Sequence, residues 1–234
     1  MNEDACLDQS ERGLWAVADG MGGHALGAFA SGRVVKALAG APCSEGLASY
    51  ADAIRQRLQE VNRELRLASA ARGLNTIGST VAVLLARERH CGCLWAGDSR
   101  IYRYRNQRLT QLTRDHNVWE DMKARGHAIP GEPGEHPTHG AITRAVGAED
   151  VLELDEEVAE VGDGDIFLLC SDGLSNAVSE QEIANALLPG NCRQAAETLV
   201  SLALQRGGCD NISAIVVRAD DLDALDKTLY NPSV

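Results

Sequence analysis

Four aspartates, Asp19, Asp98, Asp172 and Asp210, each lie beside a glycine or a turn at the end of an otherwise apolar run. A single carboxylate at a strand end needs no chemistry to explain it, because Asp and Gly are ordinary turn formers. Several unpaired carboxylates sharing one rim are different. They repel and raise one another's pKa values unless cations neutralise them. Oxygen-only ligation selects hard ions such as magnesium or manganese, and no set of residues here combines the Cys and His that zinc favours. A shared Asp can hold two such ions about 4 Å apart, and a water bridging them is a nucleophile placed in line with an electrophile. Phosphoryl hydrolysis is the chemistry that such a centre suits.

The elements that must position these groups follow from hydrophobic pattern. Leu14 to Ala18 reads as an interior strand that stops at Asp19 and Gly20, before the paired glycines Gly22 and Gly23. Helices are predicted from Ala25 to Leu38 and from about Glu45 to Ala71, the second on the stripe Leu47, Ile54, Leu58, Val61, Leu65 and Ala68. Strands at 80–86 and 91–96 and a meandering pair around Asn106 follow, with connections too short for anything but antiparallel neighbours. A helix at 116–125 leads into a Gly-, Pro- and His-rich surface excursion at 126–140. Beyond it lie strands at 152–161 and 166–170, a helix capped by Ser179 and Glu182, a helix at 192–205, and a last strand at 212–217. Asn2, Glu3 and Asp4 stand ahead of any predicted element. If the last strand runs antiparallel to those that carry Asp19 and Asp172, Asp210 reaches the same rim.

Length and composition bound the remaining possibilities. A chain of 234 residues with 44% hydrophobic content can bury a substantial core as one domain. A formal charge of -12 argues against nucleic-acid or anionic-membrane binding, both of which need positive surface fields. No apolar run approaches the roughly 20 residues that stable membrane insertion requires, and the N-terminus is acidic, so a cytoplasmic location is expected. Of seven cysteines only Cys91 and Cys93 are close, which is not zinc spacing; reduced thiols are expected. The segment after Asp220 reads as an acidic tail (220–234) appended to a domain spanning 1–219.

Read in order, the stretches NEDA at 2–5, VADGMGGH at 17–24, GST at 78–80, AGDSR at 96–100, LTRDH at 112–116, ITRAVG at 142–147, CSDGL at 170–174 and DNISAIVV at 210–217 resemble the metal-dependent PPM, or PP2C-like, serine/threonine protein phosphatases, in a bacterial form. The likeness covers essentially the whole chain. It implies an α+β fold, a four-layer αββα sandwich with two central antiparallel β-sheets. It implies hydrolysis of phosphoserine and phosphothreonine proteins with two Mn2+ or Mg2+ ions and a weaker third ion, opposing a cognate bacterial serine/threonine kinase. A monomer is expected.

By the same resemblance, Asp19 bridges both metals and the Gly20 carbonyl binds the second. Asp172 and Asp210 complete the first ion's ligands, Glu3 serves the second mainly through water, Asp4 supports the water shell, and Asp98, with Asp172, holds the third. Asn211 is expected to fix the geometry around Asp210. His24 is either a proton donor to the leaving oxygen or a structural residue at its helix start, whereas His116 is expected to make local hydrogen bonds. Related phosphatases have a strand ahead of the NED-like stretch, with an arginine that grips phosphate; here Asn2 directly follows Met1. Either the natural chain begins earlier, or the fold works without that first edge strand at reduced activity. Arg100 and Arg144 are the candidates to approach the site instead, with structural roles favoured for both. The alternative function is a phosphatase-like regulatory or phosphopeptide-binding module with weak turnover, and a third is hydrolysis of a small phosphorylated metabolite.

Overall fold

The computed structural model describes residues 1–23, 25–126, 141–208 and 210–220. Its strands are β1 (Asp4–Gln9), β2 (Leu14–Met21), β3 (Gly78–Ser79), β4 (Val81–Arg87), β5 (His90–Ala96), β6 (Arg100–Arg105), β7 (Arg108–Gln111), β8 (Asp155–Glu160), β9 (Ile166–Cys170) and β10 (Ala214–Arg218). The α-helices are α1 (Ala25–Ala39), α2 (Leu47–Ala71), α3 (Val118–Ala124), α4 (Asp172–Ser175), α5 (Glu180–Leu187) and α6 (Cys192–Gln205). One sheet has the order β1-β2-β4-β5-β8, with β3 paired to β2, and the other has the order β10-β9-β6-β7. Every pairing is antiparallel. The expected four-layer sandwich is therefore present.

Strand alternation sorts the core into three slabs, because successive side chains point to opposite faces. Leu14, Ala16 and Ala18 of β2 face outward onto α1 and α2, where they meet Val34, Ile54 and Leu58. Trp15 and Val17 face inward and meet Ala82, Leu84 and Trp95 of their own sheet and Ile101, Phe167 and Leu169 of the other. Outward residues of the second sheet, Tyr102, Leu168 and Cys170 among them, pack on Leu174, Ile183, Leu187 and Leu199 of the helices beneath. The inward parity of β2 that carries Trp15 and Val17 continues to Asp19. The apolar slab between the sheets thus passes directly into a carboxylate at its rim.

Three expectations need correction. Asp4 opens β1 rather than preceding all structure; β1 lies at the edge of its sheet and pairs Asp4 with Asp19. Strand β2 does not stop at Asp19: Gly20 and Met21 pair with Ser79 and Gly78, a non-local contact invisible in a local hydrophobic pattern. Asp172 does not end a strand in a plain turn but opens α4, with Ser171 preceding it in extended conformation. The capping box at Ser179 and Glu182 forms as expected. His24, the bulk of the 126–140 excursion and the tail after Asp220 lie outside the described residues. Among the described residues no helix is long and apolar enough to cross a membrane.

Candidate active site

The rim is built by register. Asp4 and Asp19 sit directly opposite one another on β1 and β2, an arrangement in which like charges are destabilising. Strand β9 ends at Cys170 opposite Ala214 of β10, so Asp172 just after β9 and Asp210 just before β10 return to the same end. The last strand runs antiparallel to β9, which meets the sequence condition for the strand that precedes Asp172. Asp98 comes from the β5–β6 connection.

Hydroxyls and backbone groups hold the surrounding chain. Ser171 Oγ–H donates to Asp4 Oδ2 at 2.9 Å, and the Ser213 N–H donates to Ser171 Oγ at 3.0 Å, so one serine joins β1 to the β9–β10 ends. The Glu3 N–H donates to Asn211 Oδ1 at 2.7 Å, and the Gly20 N–H donates to the Glu3 carbonyl at 3.1 Å. The Ser31 hydroxyl of α1 donates to the same Glu3 carbonyl. Thr80 Oγ1 accepts from the Asp19 N–H at 3.0 Å and lies 2.7 Å from Ser99 Oγ, which links the Asp19 backbone to the Asp98 loop. Close approach also dictates composition: a Cβ on Gly20 would lie 2.0 Å from the Gly27 carbonyl oxygen of α1.

Electrostatically the rim is strained as it stands. Asp19 is pushed up to about 9 by burial, reinforced by Asp4, Asp172 and Asp210. Asp98 is pushed up to about 7 by burial, then by Asp172 and Asp115. Burial and the Asp210 charge raise Asp172; burial raises Asp4 despite its serine hydrogen bonds. Asp4 Oδ1 and Asp172 Oδ1 are buried with no hydrogen-bond partner, which is rare enough in native structures to require an explanation. Unpartnered, mutually repelling carboxylate oxygens are the donor set that hard divalent cations bind. Among the described residues no group of three or more His, Cys, Asp or Glu side chains is placed so that it could hold a metal ion as the side chains stand.

The sequence-predicted residues divide cleanly. The charge effects that raise Asp4, Asp19 and Asp172 come from within the set Asp4, Asp19, Asp172 and Asp210, and Asp98 is joined to that set through Asp172. Asn211 touches Asp210 only through its own N–H, at 2.7 Å to Oδ1; its side chain serves the Glu3 backbone instead. Arg100 is committed to Asp115 (Nη2–Oδ2 2.7 Å) and to the Tyr102 hydroxyl (2.9 Å), and Arg144 to Asp155 at 2.6 Å. His116 is buried and held lower than an ordinary imidazole by burial, despite an Asp155 contact that pulls the other way. Sequence reasoning missed Ser171, Ser213, Thr80 and Ser99 as supports; their only signal was adjacency to the aspartates and to the GST stretch.

A doubly sheeted αββα sandwich whose inter-sheet core ends in clustered aspartates defines the class, and comparison places the chain within it. Residues 1–205 match the family model described as protein phosphatase 2C, and the chain belongs to that family. It is 36% identical over 226 residues to the serine/threonine protein phosphatase PstP of Mycobacterium tuberculosis, covering 95% of this chain but 43% of that protein. It is 34% identical over 210 residues to the serine/threonine phosphatase stp of Listeria monocytogenes, covering 87% of this chain and 83% of that one. Among solved structures, PppA, a key regulatory component of T6SS in Pseudomonas aeruginosa, superposes with a TM-score of 0.88 at 43% identity over 94% of this chain and 91% of that chain. The catalytic domain of PstP in complex with 2 manganese ions superposes at 0.80 with 33% identity, over 94% and 93% of the two chains.

Proposed function

We propose that the chain is a divalent-metal-dependent protein phosphatase that hydrolyses phosphoserine and phosphothreonine in proteins phosphorylated by a serine/threonine kinase. The observation that carries this reading is the pair of buried, unpartnered oxygens on Asp4 and Asp172 beside the raised Asp19. The likeness to a manganese-bound catalytic domain supports it. Bound divalent ions supply Lewis-acid polarisation of the phosphate and a coordinated water of lowered pKa.

The chain's own part is to present and orient oxygens. In this reading Asp19, Asp172 and Asp210, with the Gly20 carbonyl, would hold the divalent ions, Glu3 would serve them mainly through water, and Asp98 would hold a further, weaker ion. Ser171 orients Asp4, and Asn211 holds the backbone of Glu3. Rigid β-sheet on both sides of the inter-sheet slab keeps these groups from relaxing apart. Phosphate released from a phosphothreonine peptide and from a small phosphorylated metabolite, each with manganese and with chelator, tests the reading. Peptide turnover that survives chelation undiminished rejects the metal mechanism, and exclusive turnover of the metabolite rejects the protein substrate.

A second reading, a phosphopeptide-binding regulatory module with weak turnover, is favoured by one observation. Arg100 and Arg144, the candidates for a phosphate grip, are both bonded to carboxylates. It predicts peptide binding with little metal-dependent phosphate release in the same assay.

A further inference from the structure

We propose that His116 is the positioning residue for Asp98: it fixes the Asp98 loop through Gly97 and ties that loop to segment 141–144 and to the start of β8. The inference rests on the reading of Asp98 as a metal-site carboxylate. His116 does not touch Asp98. Its ring Nδ1 accepts the Gly97 N–H at 3.2 Å, while its own backbone N–H donates to the Gly97 carbonyl at 2.9 Å. Both polar backbone groups of the residue before Asp98 are thus taken by one residue. With Nδ1 accepting, the ring proton sits on Nε2, 3.2 Å from Asp155 Oδ2.

Gly97 cannot yield easily. Its φ is +110°, and a Cβ there would meet the Thr80 side chain at 2.6 Å, so the turn is both left-handed and tightly seated. The imidazole is stacked on Trp95, with ring centroids 6.1 Å apart and 13° between planes, and Trp95 Nε1–H donates to the Arg114 carbonyl at 2.8 Å. On the far side of Asp98, Arg100 is gripped by Asp115, the residue preceding His116. Consecutive residues therefore hold the chain on both sides of Asp98. The His116 carbonyl accepts the Thr143 N–H at 2.8 Å, and Arg144 shares Asp155 with the imidazole. Shifts in segment 141–144 are thereby coupled to the Asp98 turn. Groups that act through a ligand's neighbours in this way commonly change metal affinity by about 10–100-fold when removed.

Three substitutions separate positioning from mere core filling. His116→Asn retains an acceptor near the Nδ1 position but loses the reach to Asp155; His116→Gln replaces Nε2 and abandons Gly97; His116→Phe keeps the ring and loses both nitrogens. Two readouts are taken on the full chain: the manganese concentration for half-maximal phosphothreonine-peptide turnover, and amide hydrogen exchange of Gly97 to Arg100 in chelated protein. We expect His116→Asn to stay near wild type in both. His116→Gln and His116→Phe should need about tenfold more manganese and exchange faster at Gly97 to Arg100. Should His116→Phe not fold, the Asn and Gln pair carries the comparison. Equal exchange and equal manganese requirement in Asn and Gln would overturn the proposal. Asp98→Asn, run in parallel, isolates the underlying reading: if it leaves the manganese dependence unchanged, the assignment of Asp98 fails. If it shifts that dependence while His116→Gln does not, the positioning role fails and Asp98 stands.

Discussion

Asp165, which is buried, and the half-buried rim aspartates Asp4, Asp19, Asp98 and Asp172 are the same residue type with opposite outcomes. Asp165 is 1% exposed, yet Arg105 meets it through both oxygens, Nε at 2.6 Å and Nη2 at 2.5 Å, and the Gly162 N–H donates to it at 2.8 Å. Burial alone would raise its pKa; these donors outweigh burial and hold it below the ordinary carboxylate value. Around Asp19 the same desolvation is joined by three neighbouring carboxylates, and the pKa climbs to about 9. One site is complete with protein groups alone. The other leaves oxygens without partners, and a fold tolerates that arrangement where something outside the chain completes it.

Substitution separates the two regions most sharply in activity. Asp19→Asn should lower metal-dependent phosphopeptide turnover by roughly 10³-fold, the scale of losing a principal electrostatic group at a reacting centre; Asp165→Asn should leave it nearly unchanged. Steady-state rates at saturating manganese decide this, and comparable losses in both variants would erase the distinction.

Stability should reverse the order. Asp165→Asn strands a partly exposed arginine and should cost about 1–3 kcal/mol in denaturant unfolding. In chelated protein at pH 7 Asp19→Asn removes a carboxyl that must take up a proton to fold, and should stabilise by about 1 kcal/mol. A destabilised Asp19→Asn protein under chelation would mean that the rim is not frustrated.

The pH dependence carries the same contrast. Asp19 at about 9 and Asp98 at about 7 hold protons in the folded, chelated protein that the unfolded chain has released. Stability of that protein therefore falls as pH rises through the window from the ordinary Asp pKa to those values, by up to about 1.4 kcal/mol per pH unit for each extra proton. Asp165 and Asp155 have lowered values, so their contribution is present above the ordinary Asp pKa and is lost only as pH falls through their folded values. Melting temperature under chelation should be higher at pH 6 than at pH 9. A flat profile, or one rising toward pH 9, would contradict the assignment of the raised groups.

Much of this was readable from residues. The layers followed from strand and helix periodicity, and the rim from three apolar runs that lead into Asp19, Asp98 and Asp172 and a fourth that Asp210 precedes. What escaped depended on pairing between distant segments. Asp4 faces Asp19 only because β1 folds back on β2 in a particular register, and β2 outlasts Asp19 only because Gly78 and Ser79 arrive to pair with it. Ser171 and Ser213 carried no signal of their own, since a hydroxyl's partner is set by three-dimensional neighbours rather than by sequence spacing. His116 was legible as a hydrogen-bonding residue, but its partner Gly97 was not.

The central claim is that cations complete the oxygens at the rim. Calorimetric titration of chelator-stripped protein with manganese at pH 7, repeated in buffers of different ionisation enthalpy, measures uptake and proton release together. Binding with release of protons from the raised aspartates, lost in Asp19→Asn and kept in Asp165→Asn, is the predicted result. Wild-type protein that takes up no manganese, or an Asp19→Asn protein that binds it equally well, would contradict the account.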